Sequence, residues 1–438
     1  MTVIDNADNQ LNTEVFPNAI VVAVDYGQTK DFEYQLFEMK SLVEACEMKV
    51  TDVIVQSLSA PNPATYLGKG KLEELSLYIV SNDIEYCIFL DILSPSQLKN
   101  IADEVSAVVL DRTGLILEIF SKRARTREAR LQVESAKLQY MLPRLIGMRT
   151  SLGRQGGASG SMSNKGQGET QLELDRRHIE KKISELNREL STIEHDREVQ
   201  RARRNKSTLP SVALVGYTNA GKSTLMNRLC DISGHPEEKK VFEKDMLFAT
   251  LDTTIRHIYN KDKKDFLLSD TVGFVSNLPH GLIKAFRSTL EEVKFADLLL
   301  IVLDASDEHI YEQLEVTEST LRELKCSEIP KLYVLNKTDK GNLFAFPKRR
   351  DIESIKVSAY TGDGIDDLLK AVKDILYSDN KVVQMIIPYN KGNVLGIVNE
   401  YANIVETEYL PDGTKIIADC PAWLLGKLQE VQVEFYTD

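Results

Sequence analysis

Residues 212–229, VALVGYTNAGKSTLMNRL, constrain this chain more than any other stretch. An apolar run reaches Gly216, and the chain then passes through Gly221, Lys222 and Ser223 into a helical pattern. This is the GxxxxGK[ST] spacing in the context it requires, a strand before and a helix after. The glycines let the backbone wrap a phosphate chain, and the amides of Tyr217, Thr218, Asn219 and Ala220 lie where they can point inward at the helix start. Lys222 is placed to reach the β and γ oxygens, Ser223 to ligate magnesium, and Thr224 follows in the first helical turn. By itself the motif says only that a nucleoside triphosphate binds, ATP or GTP.

Further motifs follow in order and select between the two. Phe248, Ala249, Thr250, Leu251 and Asp252 lie in LFATLDTT, a segment expected to be loop, where the Thr250 hydroxyl completes the magnesium shell and senses the γ-phosphate. DTVGF follows the strand pattern FLLS. Its Asp270 suits the acidic metal-side position, acting through water, Thr271 and Val272 follow, and the Gly273 amide can bond the γ-phosphate. Lys222, Thr250 and Gly273 are the expected catalytic set. VLNKTD ends another apolar strand with Asn336, Lys337 and Asp339. A carboxylate at Asp339 accepts from both N1–H and the 2-amino group of guanine. Adenine lacks both donors, which is worth on the order of a few kcal/mol. Ser358, Ala359 and Tyr360 follow a last strand, where a backbone amide meets the guanine oxygen. Five such motifs in order point to GTP as substrate, GDP as product and Mg2+ as cofactor.

The rest of the chain surrounds this unit. At 438 residues it is too long for one ordinary core. Strand patterns at 19–24, 50–57, 86–90 and 107–110 alternate with helical ones, which predicts a parallel α/β domain over residues 1–120. In it, YLGKGKLEEL opens a helix where an anion can bind, but it lacks a phosphate-loop spacing, and an ordinary lysine-bearing turn is the favoured reading. Residues 121–205 change character. Leu131, Leu138 and Leu145 stand seven apart, as do Leu172, Ile179, Leu186 and Ile193, with Ile183 and Leu190 between. That spacing predicts two helices packed as an antiparallel coiled arm. Between them, residues 152–168 hold six glycines with Arg154 and Lys165, a composition that cannot pack a core. The arm carries 19 Lys and Arg against 11 Asp and Glu, a balance of +8, so the remainder carries −20 of the total −12. A basic module on an acidic chain suggests a local polyanion contact such as RNA; a solvated helical face is the plainer alternative. Residues 206–378 form the nucleotide domain, a parallel sheet with flanking helices. Residues 379–438 read as a small α+β domain, with strand-like VVQMIIP, VLGIVNEY and TKIIADCP and a final helix-like PAWLLGKLQEV. Five scattered cysteines, no basic-then-apolar leader and no membrane-length apolar run point to a cytoplasmic protein with reduced thiols and no membrane partner; a monomer is expected.

With these residues in view, the chain resembles the HflX-type translational GTPases of the Obg-HflX group. The resemblance rests on YLGKGK, on LDRTGLILEIFSKRARTREARLQVESAKLQYMLPRL, on GQGETQLELDRRHI, GYTNAGKSTLMN, LFATLD and DTVGF, and on LPHGLIKAFRSTLEEV. The helical-arm segments are the specific part. The resemblance implies a GTPase that docks on the large ribosomal subunit and its rRNA, associated with dissociating or rescuing stalled ribosomes under stress. The other reading is an RNA-binding or large-subunit assembly GTPase in which GTP mainly locks conformation. Two departures stand out. The tip reads SMSNKGQGE where the family usually has a GTRGPGE-like run, so Lys165 keeps a charge but not a planar guanidinium. The chain reads LDTTIRHI where the family commonly has Pro after Asp252.

One residue poses a chemical problem. Phe274 follows Gly273, where many GTPases place a Gln that orients the attacking water. A hydrophobic residue there cannot orient water, so turnover should be slow until a partner, here the ribosome, or a cation supplies the missing groups. Asn219 in NAGKS resembles GTPases that use K+ near the β and γ phosphates; capping of the loop by its amide is the alternative.

Overall fold

The computed structural model describes residues 16–27, 32–155, 165–204, 209–233, 248, 254–260, 262, 264–275, 291–341, 344, 353–428 and 432–435. It divides into two compact units, 1–190 and 191–438. The first opens with β1 (Asn18–Asp25), α1 (Phe32–Ala45), β2 (Lys49–Ser57), α2 (Lys69–Ser81), β3 (Tyr86–Phe89), α3 (Pro95–Glu104) and β4 (Val108–Asp111). The four strands are all parallel, in the order β2-β1-β3-β4, as alternating strand and helix patterns require. α4 (Arg112–Arg123) was not foreseen: β4 passes straight into it, because Asp111 both ends the strand and caps the helix, accepting from the Gly114 amide at 2.8 Å.

The arm is α5 (Arg127–Gln155) and α6 (Lys165–Arg204). They run antiparallel, with Arg127 2.8 Å from Glu189 and Lys182 3.7 Å from Glu134. On α6 the expected stripe from Ile179 onward is turned from solvent, with Leu186 buried and Ile179, Ile183, Leu190 and Ile193 half-buried, while the side chains of Leu172 and, on α5, Leu145 lie outside those described. α5 differs. Its buried positions are Ala129, Gln132, Val133, Ser135 and Ala136, while Leu131 and Leu138 are half-buried. The reason is a second packing surface: α5 also lies on α3 and α4, and Lys137 meets Glu118 at 2.9 Å. A seven-residue pattern describes only one neighbour. The glycine-rich segment is also shorter than residues 152–168, since the helices continue to Gln155 and restart at Lys165; 156–164 lie outside the described residues. A helix already nucleated gains one hydrogen bond per added residue, which offsets the cost of a glycine at its end.

The second unit holds β5 (Ser211–Gly216), α7 (Lys222–Ile232), β6 (Thr254–Ile258), β7 (Phe266–Asp270), β8 (Leu298–Asp304), α8 (Ile310–Glu323), β9 (Lys331–Asn336), β10 (Ser354–Lys356) and α9 (Ile365–Leu376). Its sheet runs β10-β9-β8-β5-β7-β6, parallel except that β6 pairs antiparallel with β7 at the edge. β5 and β8, buried along their lengths, take core on both faces. The remainder is β11 (Lys381–Pro388), α10 (Gly392–Tyr401), β12 (Asn403–Leu410), β13 (Gly413–Cys420), α11 (Ala422–Lys427) and β14 (Gln432–Phe435), with an antiparallel sheet β12-β13-β11-β14.

Here one expectation is overturned. VLGIVNEY is not a strand but most of α10, because Val394, Val398 and Ala402 recur every four residues and bury one face. The strand is the following β12, whose acidic residues hid its pattern. The β6–β7 turn joins the two sheets: Lys264 meets Asp419 of β13 at 2.7 Å, and Lys373 of α9 meets Asp262 at 2.8 Å. No described helix is long and apolar enough to cross a membrane, and none of the five cysteines forms a disulfide.

Candidate nucleotide site

The site grows from the end of β5. Gly216 has φ 146, and a Cβ there would stand 2.2 Å from the Val302 carbonyl oxygen of β8, so no side chain fits. The loop then turns through Asn219, exposed at φ 61, and Gly221 at φ 90, which caps α7. Lys222 starts that helix and is buried; its ammonium donates to the carbonyls of Gly216 at 3.1 Å and Tyr217 at 2.8 Å. Burial pushes this lysine down to about 8, against the pull of Asp270 in the other direction. The Thr218 hydroxyl is buried in the same loop with no hydrogen-bond partner among the described residues. A loop of amides, one buried cation and an orphaned hydroxyl fit an oxyanion chain.

Of the expected metal-side residues, the structure brings Ser223 and Asp270 together. The Ser223 hydroxyl donates to Asp270 Oδ2 at 2.7 Å, and Asp270 is fully buried at the end of β7. A hydroxyl beside a carboxylate is a hard oxygen pair, suited to Mg2+. Thr271 is fixed by donating to the Leu214 carbonyl at 2.7 Å, and Val272 is buried. Gly273 crosses the phosphate loop so closely that a Cβ would stand 2.9 Å from Lys222 Nζ and 2.7 Å from Thr218 Cγ2. Phe248 is buried, whereas Ala249, Thr250, Leu251 and Asp252 lie outside the described residues.

Phe274 has a definite place. Its amide donates to Gly216 at 3.1 Å and its carbonyl accepts from the Thr218 amide at 2.8 Å, so the backbone is zipped onto the phosphate loop. The ring, 1% exposed, packs with Ala213, Val215, Val293, Leu299 and Ile301. Burying such a ring is worth about 2 kcal/mol. The side chain is a core anchor and does not face the phosphate loop's open side.

On the base side, Asn336 ties the site together. Its Nδ2 donates to the Ala220 carbonyl at 2.9 Å and its Oδ1 accepts from the Ala359 amide at 3.0 Å. The Ser358 hydroxyl donates to Asp339 Oδ1 at 2.6 Å, aligning a carboxylate that is itself exposed, and Tyr360 is 82% exposed beside it. Lys337, at φ 62, pairs with Asp304 at 2.8 Å. Asp304 escaped the sequence reading. The available signal was two parallel strands ending together, since Asp304 stands opposite Asn336 in the β8–β9 register.

The other candidate, YLGKGK, looks like an ordinary helix start. The Gly68 amide donates to Gln56 Oε1 at 3.0 Å, and Lys71 meets Glu74 at 2.8 Å.

Comparisons with known proteins cover almost the whole length. A family described as "GTP-binding GTPase N-terminal" matches residues 33–121, "GTP-binding GTPase Middle Region" matches 123–204, and "50S ribosome-binding GTPase" matches 211–337. The GTPase HflX of Caldanaerobacter subterraneus is 40% identical over 411 residues, 94% of this chain and 92% of its own. That of Escherichia coli K12 is 40% identical over 380 residues, 86% of this chain and 87% of its own. A crystal structure of a GTP-binding protein from Sulfolobus solfataricus with GDP covers 83% of this chain and 98% of its own at 25% identity, but with a TM-score of 0.43 that likeness supports no conclusion.

Proposed function

The chain belongs to the HflX family of GTPases and hydrolyses GTP, and from that premise we propose that it is a switch that docks on the large ribosomal subunit and uses its GTP-bound state to dissociate or rescue ribosomes. The division of labour follows the proposed domains: residues 1–120 form the N-terminal α/β domain, the basic arm, 121–205, meets rRNA, 206–378 bind nucleotide, and 379–438 form the small appended domain. In the nucleotide domain Gly216 to Thr224 cradle the phosphates, with Lys222 at the β and γ oxygens. Ser223, Asp270 through water, and Thr250 would hold Mg2+, which when bound neutralises charge between the β- and γ-phosphates. Gly273 would meet the γ-phosphate through its amide. Asn336, Lys337, Asp339 and the Ser358–Tyr360 turn would take the guanine. Asn219, exposed on the loop, would hold K+; replacing it with Ala should then erase any rate difference between potassium and sodium.

The observation that carries the trigger is Phe274. With its ring in the core and its backbone bonded to the loop, it offers nothing to the attacking water. We therefore read the ribosome as the source of the groups that orient water and as the trigger of turnover, with any K+ at Asn219 assisting at the phosphates. The test is sedimentation of the full chain with ribosomes and a non-hydrolysable GTP analogue. The chain should move with large subunits and deplete intact ribosomes, and GDP should release it. Preference for precursor particles or free rRNA, with ribosomes left intact, would establish the assembly reading instead.

A further inference from the structure

A cation on the helix that follows the phosphate loop reaches across to the guanine-reading turn, and neither the motifs nor the family descriptions give it a role. Arg228 lies on α7, two turns beyond Lys222, and its Nη2 donates to the Thr361 carbonyl at 2.8 Å. The next residue is shaped around it. Gly362 has φ 97, and a Cβ there would stand 2.1 Å from Arg228 Nη2 and 2.9 Å from Cζ and Nε, so the turn lies directly on the guanidinium. From that contact a short chain of bonds leads to the base-reading carboxylate. The Thr361 amide donates to Ser358 Oγ at 3.1 Å, the Gly362 amide to the Ser358 carbonyl at 2.8 Å, and Ser358 Oγ donates on to Asp339 Oδ1 at 2.6 Å.

We propose that Arg228 is a positioning residue for guanine recognition: it fixes the Ser358–Gly362 turn against the phosphate-loop helix, and so sets how well Asp339 is aligned on a base whose phosphates are held at Lys222. The inference rests on the GTP-site reading above. Asn336 braces the same two elements nearer the phosphates, through Ala220 and Ala359, so Arg228 is the outer of two cross-links. Without the outer link the turn hinges about Asn336. Ser358 then no longer presents Asp339 at a fixed angle, the base is released sooner, and the phosphates are still held. Geometry explains why arginine suits the place: one guanidinium nitrogen both donates to Thr361 and abuts Gly362, with Cζ and Nε spread beside it, a span that a lysine ammonium does not offer.

The experiment is stopped-flow release of a fluorescent GDP analogue from the full chain, with steady-state rates for GTP and inosine triphosphate, in wild type, Arg228→Ala and Arg228→Lys. Wild type must first bind the GDP analogue and exclude its adenine counterpart; failure there sinks the GTP-site reading itself. Arg228→Ala should then release GDP about tenfold faster, the worth of one charge-assisted hydrogen bond. Its KM for GTP should rise while kcat stays within about twofold, since no reacting atom is touched. Its preference for GTP over inosine triphosphate, which lacks the 2-amino group read by Asp339, should fall, and Arg228→Lys should restore release only in part. Unchanged release and preference in Arg228→Ala overturn the proposal. So does a fall in kcat at unchanged release, or a loss of melting temperature with no change in base preference, which would make Arg228 a merely structural link.

Discussion

The two parallel sheets of this chain end in polar side chains at the same kind of edge, yet only one edge is arranged to hold a ligand. In the N-terminal sheet the order β2-β1-β3-β4 puts the change of winding direction between β1 and β3, where such folds form a crevice. Asp91, just past β3, accepts from the phenols of Tyr26 at 2.6 Å and Tyr66 at 2.8 Å, and the Tyr66 ring is fully buried. Asp111, at the end of β4, accepts from the amides of Gly114 and Leu93, from Arg144 at 2.8 Å and from Tyr140. Burial, reinforced by the carboxylates, pushes the Tyr26 phenol up to about 12 and those of Tyr66 and Tyr140 higher, so all three remain protonated donors. In the nucleotide sheet Asp270 and Asp304 are likewise held, by Ser223 and Lys337, but the crossing beside β5 is made by Gly216 and Gly273, Thr218 has an orphaned hydroxyl, and Lys222 is a buried cation without an acidic partner of its own among the hydrogen bonds described. A parallel sheet offers the crevice; the residues at its edge decide whether the protein fills it.

The comparison breaks most sharply at Asp111. Asp111→Ala removes a buried carboxylate and strands the half-buried Arg144 and Tyr140 donors, and should cost the N-terminal unit on the order of 3–5 kcal/mol in denaturant unfolding. GTP affinity should stay within about twofold, because the sites are independent. A cost below about 1 kcal/mol, or a parallel collapse of GTP binding, would refute the idea that this carboxylate only holds structure.

Asp339→Asn probes the other edge and should invert the pattern. It should weaken GTP by roughly a hundredfold and favour xanthosine triphosphate, whose extra carbonyl accepts from the new amide. Stability should barely move, since Asp339 is exposed and Ser358 can still donate to the remaining oxygen. Equal affinity for both nucleotides would remove Asp339 from base recognition.

A smaller effect comes with pH. Lys222 sits near 8 in the free protein, below its ordinary 10.5, and bound phosphates favour its charged form. GDP affinity should therefore be complete below pH 8 and decline above it by up to about tenfold per pH unit. Stability of the nucleotide-free fold responds with opposite sign. Between 8 and 10.5 the unfolded chain holds more protons at this group, so its contribution to stability rises with pH across that window. GDP titrations from about pH 7 to 9.5 decide the first point, and a flat affinity would mean that Lys222 does not titrate there.

Much of this was legible in the sequence where function needs particular residues at fixed spacing. The structure places the phosphate loop, Asp270, Gly273, Asn336, Asp339 and Ser358 around one edge, because each lies at or just past the end of a strand of the same sheet and neighbouring parallel strands end together. What escaped depends on a second neighbour. α5 packs on α3 and α4 as well as on α6, so polar residues such as Gln132 and Ser135 are buried on it, Ser135 donating to Asn187 of α6 at 3.2 Å, where the seven-residue leucine pattern marks neither. α10 was misread because a ten-residue helix of Val, Leu and Ile also satisfies the composition of a strand. Asp304 and Arg228 act across elements far apart in sequence. The identity of Phe274 was plain, but not that its ring would turn into the core, since only the packed sheet shows which face has room.

That ring leaves the central claim open to one direct measurement: steady-state GTP hydrolysis by the pure chain in potassium buffer, alone and with isolated large ribosomal subunits. With the Phe274 ring buried, the proposal predicts a slow rate alone and a rise on the order of a hundredfold or more with the subunit, as the proposed source of the groups that orient water. A fast rate alone, or one that the subunit leaves unchanged, would contradict the account and show that the water is positioned from within the chain or by another partner.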